Sequence, residues 1–148
     1  MKRLLLLLVI LFAIPVWSAQ IEVYVDTDAA GTQTGTSWTN AYISLSQALQ
    51  HEETDLTDAG GDTMFFNCRA SAGTDDPNAA IIDAAGWITN ATCYPVILGV
   101  DFPTNGVWDT SKYVIVPPVN TAAITIGENF ARVINIQATG SSTGTASA

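Results

Sequence analysis

The sequence predicts an all-β protein of the solenoid type, in which short parallel strands stack into a β-helix. The chain after residue 62 contains short apolar runs rich in Ile and Val, and Gly, Asn, Asp, Pro or Thr separates them. These residue types favour strands and turns respectively. The last third reads as strand, corner, strand, corner, which is typical of a solenoid rung rather than a hairpin. The predicted strands are 63–66, 80–82, 95–98, 113–116, 123–126 and 132–136.

The first element in chain order is a predicted signal peptide over residues 1–18. A positive start, Met1-Lys2-Arg3, precedes an apolar run from Leu4 to Ile14 and an exit containing small residues. This is the pattern of a secretory leader, and we place cleavage after Ser18, with Ala19 as the second choice. An uncleaved anchor is the alternative, although a membrane span takes about 20 apolar residues. We therefore expect a secreted, periplasmic or cell-surface protein with no membrane contact after cleavage.

Residues 19–62 are predicted to form an N-terminal cap made of a strand, a glycine-rich loop and an amphipathic helix. The segment 21–25 alternates apolar and polar residues as a strand does. Thr36 or Ser37 is then placed to start a helix that ends near His51. Apolar residues recur at helical spacing and predict one buried face. That face consists of Trp38, Ala41, Tyr42, Leu45, Ala48 and Leu49.

Residues 63–148 are predicted to form the first rungs of the solenoid, and these rungs are incomplete. The chain shows no repeat of fixed length, and it stops after 144–148 without a closing element. An open stack would expose unpaired strand edges. We therefore expect a fragment of a longer protein.

The charge balance restricts the partners. The chain has 148 residues and a formal net charge of −9. Without the leader, Arg69, Lys112 and Arg132 face 14 acids, which gives 3 − 14 = −11. Such a chain repels nucleic acid and anionic lipid surfaces, so neutral glycans, cations or other proteins are the favoured partners. The oligomeric state stays open.

The two cysteines, Cys68 and Cys93, both lie in the part expected to be exported. An even count in an oxidising compartment predicts a disulfide between them. The sequence contains no Cys-x-x-Cys pair and no Cys/His cluster, so zinc binding and thioredoxin-like redox chemistry are not indicated.

The glycine-rich loop at 26–42 is a candidate binding site for two ligands, a phosphate group and a calcium ion. A phosphate loop needs Gly-x-x-x-x-Gly-Lys, but Gly31 and Gly35 are one residue too close and no lysine follows. Asp26 and Asp28 are candidate calcium ligands, because a hard cation prefers carboxylate oxygens. Alternatively, Asp26 ends the strand and Asp28 holds a turn. No other cofactor is indicated.

We assign no catalytic residue. His51 is expected at the helix end without a catalytic partner, and the pairs 52–53 and 75–76 read as solvated loop acids rather than a glycosidase pair. Trp87 and Trp108 are expected to pack in the core, with stacking on a sugar ring as the alternative.

The opening segment resembles that of pectin-lyase-like right-handed parallel β-helix proteins. The likeness rests on Tyr24-Val-Asp26, Gly35-Thr-Ser-Trp38-Thr-Asn-Ala-Tyr42 and Gly61-Asp-Thr63, with weaker likeness at 106–113 and 123–129. The resemblance implies that the cap covers the first rung and that catalytic residues, where family members have them, lie on later rungs. It implies a parent protein that binds or processes extracellular polysaccharide. A non-catalytic surface adhesin or structural protein is the alternative.

Overall fold

The computed structural model describes residues 19–58, 61–103 and 105–140. Within them the chain forms one α-helix and eight β-strands. In chain order these are β1 (Ala19–Asp26), α1 (Leu45–His51), β2 (Asp62–Arg69), β3 (Ala80–Ile82), β4 (Pro95–Gly99), β5 (Val114–Ile115), β6 (Ile124–Ile126), β7 (Arg132–Ile134) and β8 (Gln137–Ala138).

The strands form three separate sheets, and every pairing is parallel. The main sheet has the order β1-β2-β4-β7, while β3 pairs with β6 and β5 pairs with β8. The register of the main sheet aligns Glu22 with Phe65, Phe65 with Val96, and Val96 with Arg132. The chain therefore returns to the main sheet at β4 after β3, and again at β7 after β5 and β6.

The core lies against one face of the main sheet. Side chains alternate between the two faces of a strand, and Val23, Val25 and Phe66 point inward, where each is at most 3% exposed. The helix α1 completes this core with its own apolar side chains. The opposite face of the main sheet, which we call the outer face, carries Glu22 and Tyr24 on β1. This outer face is the part of the fold that presents polar and aromatic groups.

The prediction of an all-β, right-handed parallel β-helix is wrong. In a solenoid, every turn of the chain adds one strand to each sheet. In this protein, two of the three sheets contain only two strands each, and those strands are two or three residues long. All three residues of β7, the last strand of the main sheet, are also exposed. Within the described residues we find a small mixed arrangement of short parallel sheets and one helix, which contacts β1, β2 and β3. The six predicted strand segments all coincide with observed strands, so the error concerns how the strands assemble.

The predicted cap helix begins too early. Helix α1 starts at Leu45, because the Ser44 side chain accepts a hydrogen bond from the Gln47 N–H at 3.1 Å and acts as the N-cap. The preceding segment cannot be helical, since Tyr42 exchanges backbone hydrogen bonds with Tyr24 and Asp26 of β1. The burial of the predicted face is nevertheless found at Ala41, Tyr42, Leu45, Ala48 and Leu49, whereas Trp38 is half-buried outside the helix.

The predicted disulfide is not formed. Cys68 and Cys93 are both free and buried. The register sets Cys68 beside Gly99, and Cys93 lies six residues before Gly99. At about 3.3 Å per residue the two thiols are roughly 20 Å apart along the strands, far beyond the reach of a disulfide. Burial, together with the nearby carboxylates of Asp76 and Asp101, raises the pKa of the Cys68 thiol.

The predicted signal peptide lies outside the described residues. Within the residues that the structure describes, no helix is long and apolar enough to cross a membrane.

Candidate binding site

An open cleft lies on the outer face where β1 and β2 end. Its volume is about 350 Å³. The cleft, which we call the Trp38 cleft, is lined by Asp26, Asp28, Ala29, Ala30, Gly31, Trp38, Thr39, Arg69 and Ser71. Its residues come from the end of β1, the loop after it, and the end of β2.

The loop after β1 is held in place because it folds back along the free edge of that strand. The Tyr24 N–H donates to the Gly35 carbonyl, and the Tyr42 N–H donates to the Tyr24 carbonyl, both at 2.9 Å. Gly35 has a φ of 68°, a conformation that glycine adopts without strain. At Gly31 a Cβ would lie 2.1 Å from the Thr39 carbonyl oxygen. The glycines therefore serve the folding of the loop, which brings Trp38 over the sheet.

The Trp38 ring is held between two side chains of the outer face. The Arg69 guanidinium carbon lies 4.0 Å from the centre of the Trp38 ring. The Tyr24 ring approaches the indole edge-on, with ring centres 4.8 Å apart. Both contacts favour a fixed orientation of the indole. The indole of Trp38 is thus held in one orientation, and it is only partly buried where it lines the cleft.

Asp26 fixes Arg69 in the cleft. One carboxylate oxygen of Asp26 accepts a hydrogen bond from Arg69 Nε at 2.7 Å, and the Asp26 side chain in this ion pair is only 2% exposed. The other oxygen accepts from the Ser71 N–H, the Ser71 hydroxyl and the Asp28 N–H, at 3.0 to 3.1 Å. Among the described residues, the terminal nitrogens of Arg69 have no protein acceptor and remain available to a ligand.

Asp28 lies at the rim and is ionised at neutral pH. Slight burial raises the pKa of Asp28, but hydrogen bonds from Thr74 and from the backbone of Ala72 and Gly73 outweigh it and lower the pKa below its usual value. The Ala72 N–H donates to the carboxylate at 2.6 Å. A general acid in glycoside hydrolysis needs a raised pKa. Asp28 is therefore suited to accept hydrogen bonds from a ligand, and it does not suit proton donation.

The calcium hypothesis finds little support in this geometry. Asp26 ends β1 and Asp28 follows it in a turn, which is the alternative that the sequence left open. Both oxygens of Asp26 already accept protein donors, one of them from a cation. Within the described residues, no group of three or more His, Cys, Asp or Glu side chains could hold a metal ion.

The other tryptophans considered from the sequence separate into two environments. Trp87 is 2% exposed and packs edge-on against Phe66, with ring centres 6.0 Å apart, so the packing interpretation is confirmed for it. Trp108 is 49% exposed and lies in a different cleft with Phe102 and Val107. The expected core position of Trp108 is therefore wrong.

The interpretation of residues 75–76 as solvated acids is wrong for Asp76. Asp75 is exposed, but Asp76 is fully buried. Its carboxylate accepts from the Leu45 N–H at 2.8 Å and from the Tyr113 hydroxyl at 2.6 Å. This acid stabilises the start of α1, and it lies outside the Trp38 cleft.

Sequence reasoning missed Arg69 and Ser71 as members of the site. Both lie far from Trp38 along the chain, and the parallel pairing that aligns Asp26 with Arg69 brings them to it. The sequence signal that could have identified Arg69 is the scarcity of cations. In so acidic a chain, an arginine is expected to pair with a carboxylate or a ligand.

Comparisons with known proteins identify no relative, since no family model, curated protein or solved structure matches the chain. The resemblance of the opening segment to pectin-lyase-like proteins stays a prediction.

Proposed function

We propose that this is an exported protein that binds a neutral extracellular polysaccharide in the Trp38 cleft. The export is inferred from the predicted leader at residues 1–18. The observation that carries the binding proposal is the oriented indole of Trp38 beside Arg69 and the two aspartates. No catalytic step is proposed.

The chemistry of the cleft suits a sugar ring. A pyranose has an apolar face of C–H groups that stacks on an aromatic ring, and a rim of hydroxyl groups that both donate and accept hydrogen bonds. Trp38 offers the aromatic surface, Arg69 offers donors, and Asp28 offers acceptors. A concave surface with apolar lining and a few placed polar groups is the usual form of a small-ligand site.

The overall charge favours a neutral glycan over an acidic one. The chain carries a formal net charge of −9, and Asp26 and Asp28 add local negative charge to the cleft. The single cation there, Arg69, is already paired with Asp26. A polyanionic chain would be repelled over the whole approach.

The proposed binding requires no cofactor. The Asp26 oxygens are occupied by protein donors, so the site in this proposal is complete without calcium. Addition of a chelator is accordingly expected to leave binding unchanged.

A non-catalytic adhesin or structural protein is the second candidate, and one observation favours it. Apolar side chains on and beside β7, the edge strand of the main sheet, are 39 to 41% exposed, at Phe130, Val133 and Ile134. An exposed apolar strand edge is a template for pairing with another chain. A protein that acted in this way would self-associate and would not require the Trp38 cleft.

Replacing Trp38 by alanine tests the proposed function. We expect the Kd for the best-bound member of a panel of neutral hexasaccharides, comprising cellohexaose, xylohexaose and mannohexaose, to rise at least tenfold, about 1.4 kcal/mol, because the stacking surface is lost. Isothermal titration calorimetry measures the change, and a thermal melt checks that the variant is folded.

The matched control is Trp108→Ala, which removes another exposed indole away from the Trp38 cleft. It is expected to leave the Kd within twofold. Loss of binding in Trp108→Ala together with full binding in Trp38→Ala would place the sugar site at Trp108 and contradict the proposal. Absence of binding to every hexasaccharide by the wild-type chain would also overturn it.

A further inference from the structure

We infer that a second arginine–aromatic site on the outer face, built on Tyr94 and Arg132, forms a distal subsite for the same polysaccharide, so that the protein holds an extended chain of several sugar units. The inference rests on the proposed function and adds to it the length and direction of the ligand.

The distal subsite repeats the arrangement of the Trp38 cleft. The Arg132 guanidinium carbon lies 4.5 Å from the centre of the Tyr94 ring. Together with Asn129 and Phe130, these residues line a cleft of about 320 Å³. Phe130 is 41% exposed, so the cleft offers an aromatic surface, a cation and an amide to solvent.

Arg132 is available to a ligand. Among the described residues, the only ion pair joins Asp26 to Arg69, so Arg132 has no carboxylate partner there. An arginine that stacks on an aromatic ring without an acceptor keeps its N–H donors free for hydroxyl groups. The contact lies at the edge of the main sheet, because β7 is an exposed edge strand.

Both arginines project from the same face of the main sheet. Side chains on neighbouring parallel strands that share a register position point to the same face. Arg132 is aligned with Val96 and, through it, with Phe65. Arg69 lies four residues after Phe65 on β2, and an even spacing along a strand returns to the same face. Arg69 and Arg132 are therefore both on the outer face.

The register also sets the distance between the two sites. Arg132 is two strands away from β2, and Arg69 is four residues further along the strand direction. With about 4.8 Å between strands and about 3.3 Å per residue, the two Cα atoms are roughly 16 Å apart. A disaccharide is too short to reach both sites, whereas a hexasaccharide lying diagonally across the sheet can occupy both at once.

The alternative is that Arg132 on Tyr94 is ordinary surface packing. The two explanations differ in how affinity depends on ligand length. A second subsite on one ligand raises the affinity of a long chain without changing that of a short one, because the second contact is then intramolecular. Surface packing gives no such dependence.

The test compares Arg132→Ala with the wild-type chain by calorimetry, using the best-bound neutral hexasaccharide and its disaccharide as probes. We expect the hexasaccharide Kd to rise about fivefold to tenfold and the disaccharide Kd to stay unchanged. Tyr94→Phe, which keeps the ring, is expected to retain most of the hexasaccharide affinity. Lys112→Ala removes a cation outside both clefts and serves as the matched control for net charge.

The outcomes separate the two proposals. If the wild-type chain binds the hexasaccharide and Arg132→Ala binds it equally well, the distal subsite is overturned and the Trp38 cleft stands. The same holds if Lys112→Ala weakens binding as much as Arg132→Ala, because the effect is then one of net charge. If the wild-type chain binds neither probe, the proposed function itself is overturned, and the distal subsite with it.

Discussion

Asp76→Ala is expected to lower the free energy of unfolding by about 3 kcal/mol. The substitution leaves two buried donors without an acceptor, the Leu45 N–H and the Tyr113 hydroxyl. Each unsatisfied buried donor costs about 1 to 3 kcal/mol. Because Leu45 is the first residue of α1, the start of the helix is destabilised together with the contact between α1 and the rest of the core.

Urea denaturation followed by circular dichroism measures this loss, and Asp75→Ala is the matched control. Asp75 is the adjacent acid but is exposed, so its removal is expected to change the free energy of unfolding by less than about 0.5 kcal/mol. Asp76→Asn, which keeps one acceptor oxygen, is expected to lie between the two. Equal stability of the Asp75→Ala and Asp76→Ala proteins would contradict the buried position of Asp76.

Phe66→Ala is expected to cost about 3 to 5 kcal/mol, the usual range for removing a fully buried aromatic side chain. Phe66 is completely buried in the centre of the main sheet and packs edge-on against Trp87. Its removal leaves a cavity under β1 and β4, which pair with β2 on either side.

The neighbouring residue supplies the control for this substitution. Phe65 points to the outer face and is half-buried, so Phe65→Ala is expected to cost clearly less than Phe66→Ala. The same denaturation experiment compares them. A larger loss for Phe65→Ala would mean that the two faces of β2 are assigned the wrong way round, and with them the outer face that carries both proposed sugar sites.

Local features of this fold could be predicted from the sequence because they depend on neighbouring residues. The alternation in 21–25 and the short runs of Ile and Val predict strands, and the strands are found there. The buried face of α1 follows from the spacing of Leu45, Ala48 and Leu49. The sequence predicts the helix start too early, because the backbone N–H and C=O of Tyr42 form hydrogen bonds with β1. This tertiary contact outweighs the helical spacing of the apolar residues.

The assembly of the strands could not be predicted, since short strands do not specify their partners. The return of the chain to one four-stranded sheet and two small ones depends on long-range pairings such as that of β3 with β6. Burial of Asp76 has the same origin: its partners Leu45 and Tyr113 are distant in sequence, and nothing next to Asp76 distinguishes it from the exposed Asp75.

The candidate site was predicted only in part. The sequence predicts Asp26 and Asp28 as candidate calcium ligands, or alternatively as a strand end and a turn residue, and it predicts Trp38 on the buried face of a helix. Their shared role depends on Arg69, which the register of β1 and β2 places beside Asp26 and against the Trp38 ring. A site assembled across two strands in this way has no signature within either segment.

The most direct test of sugar binding in the Trp38 cleft is a nuclear magnetic resonance titration of the ¹⁵N-labelled chain with the best-bound neutral hexasaccharide. If the ligand binds in the Trp38 cleft, the indole N–H signal of Trp38 and the backbone signals of residues 26–31 and 69–71 shift together, while the indole signal of the buried Trp87 stays in place. Shifts confined to the neighbourhood of Trp108, or no shifts at millimolar ligand, would contradict binding in the Trp38 cleft.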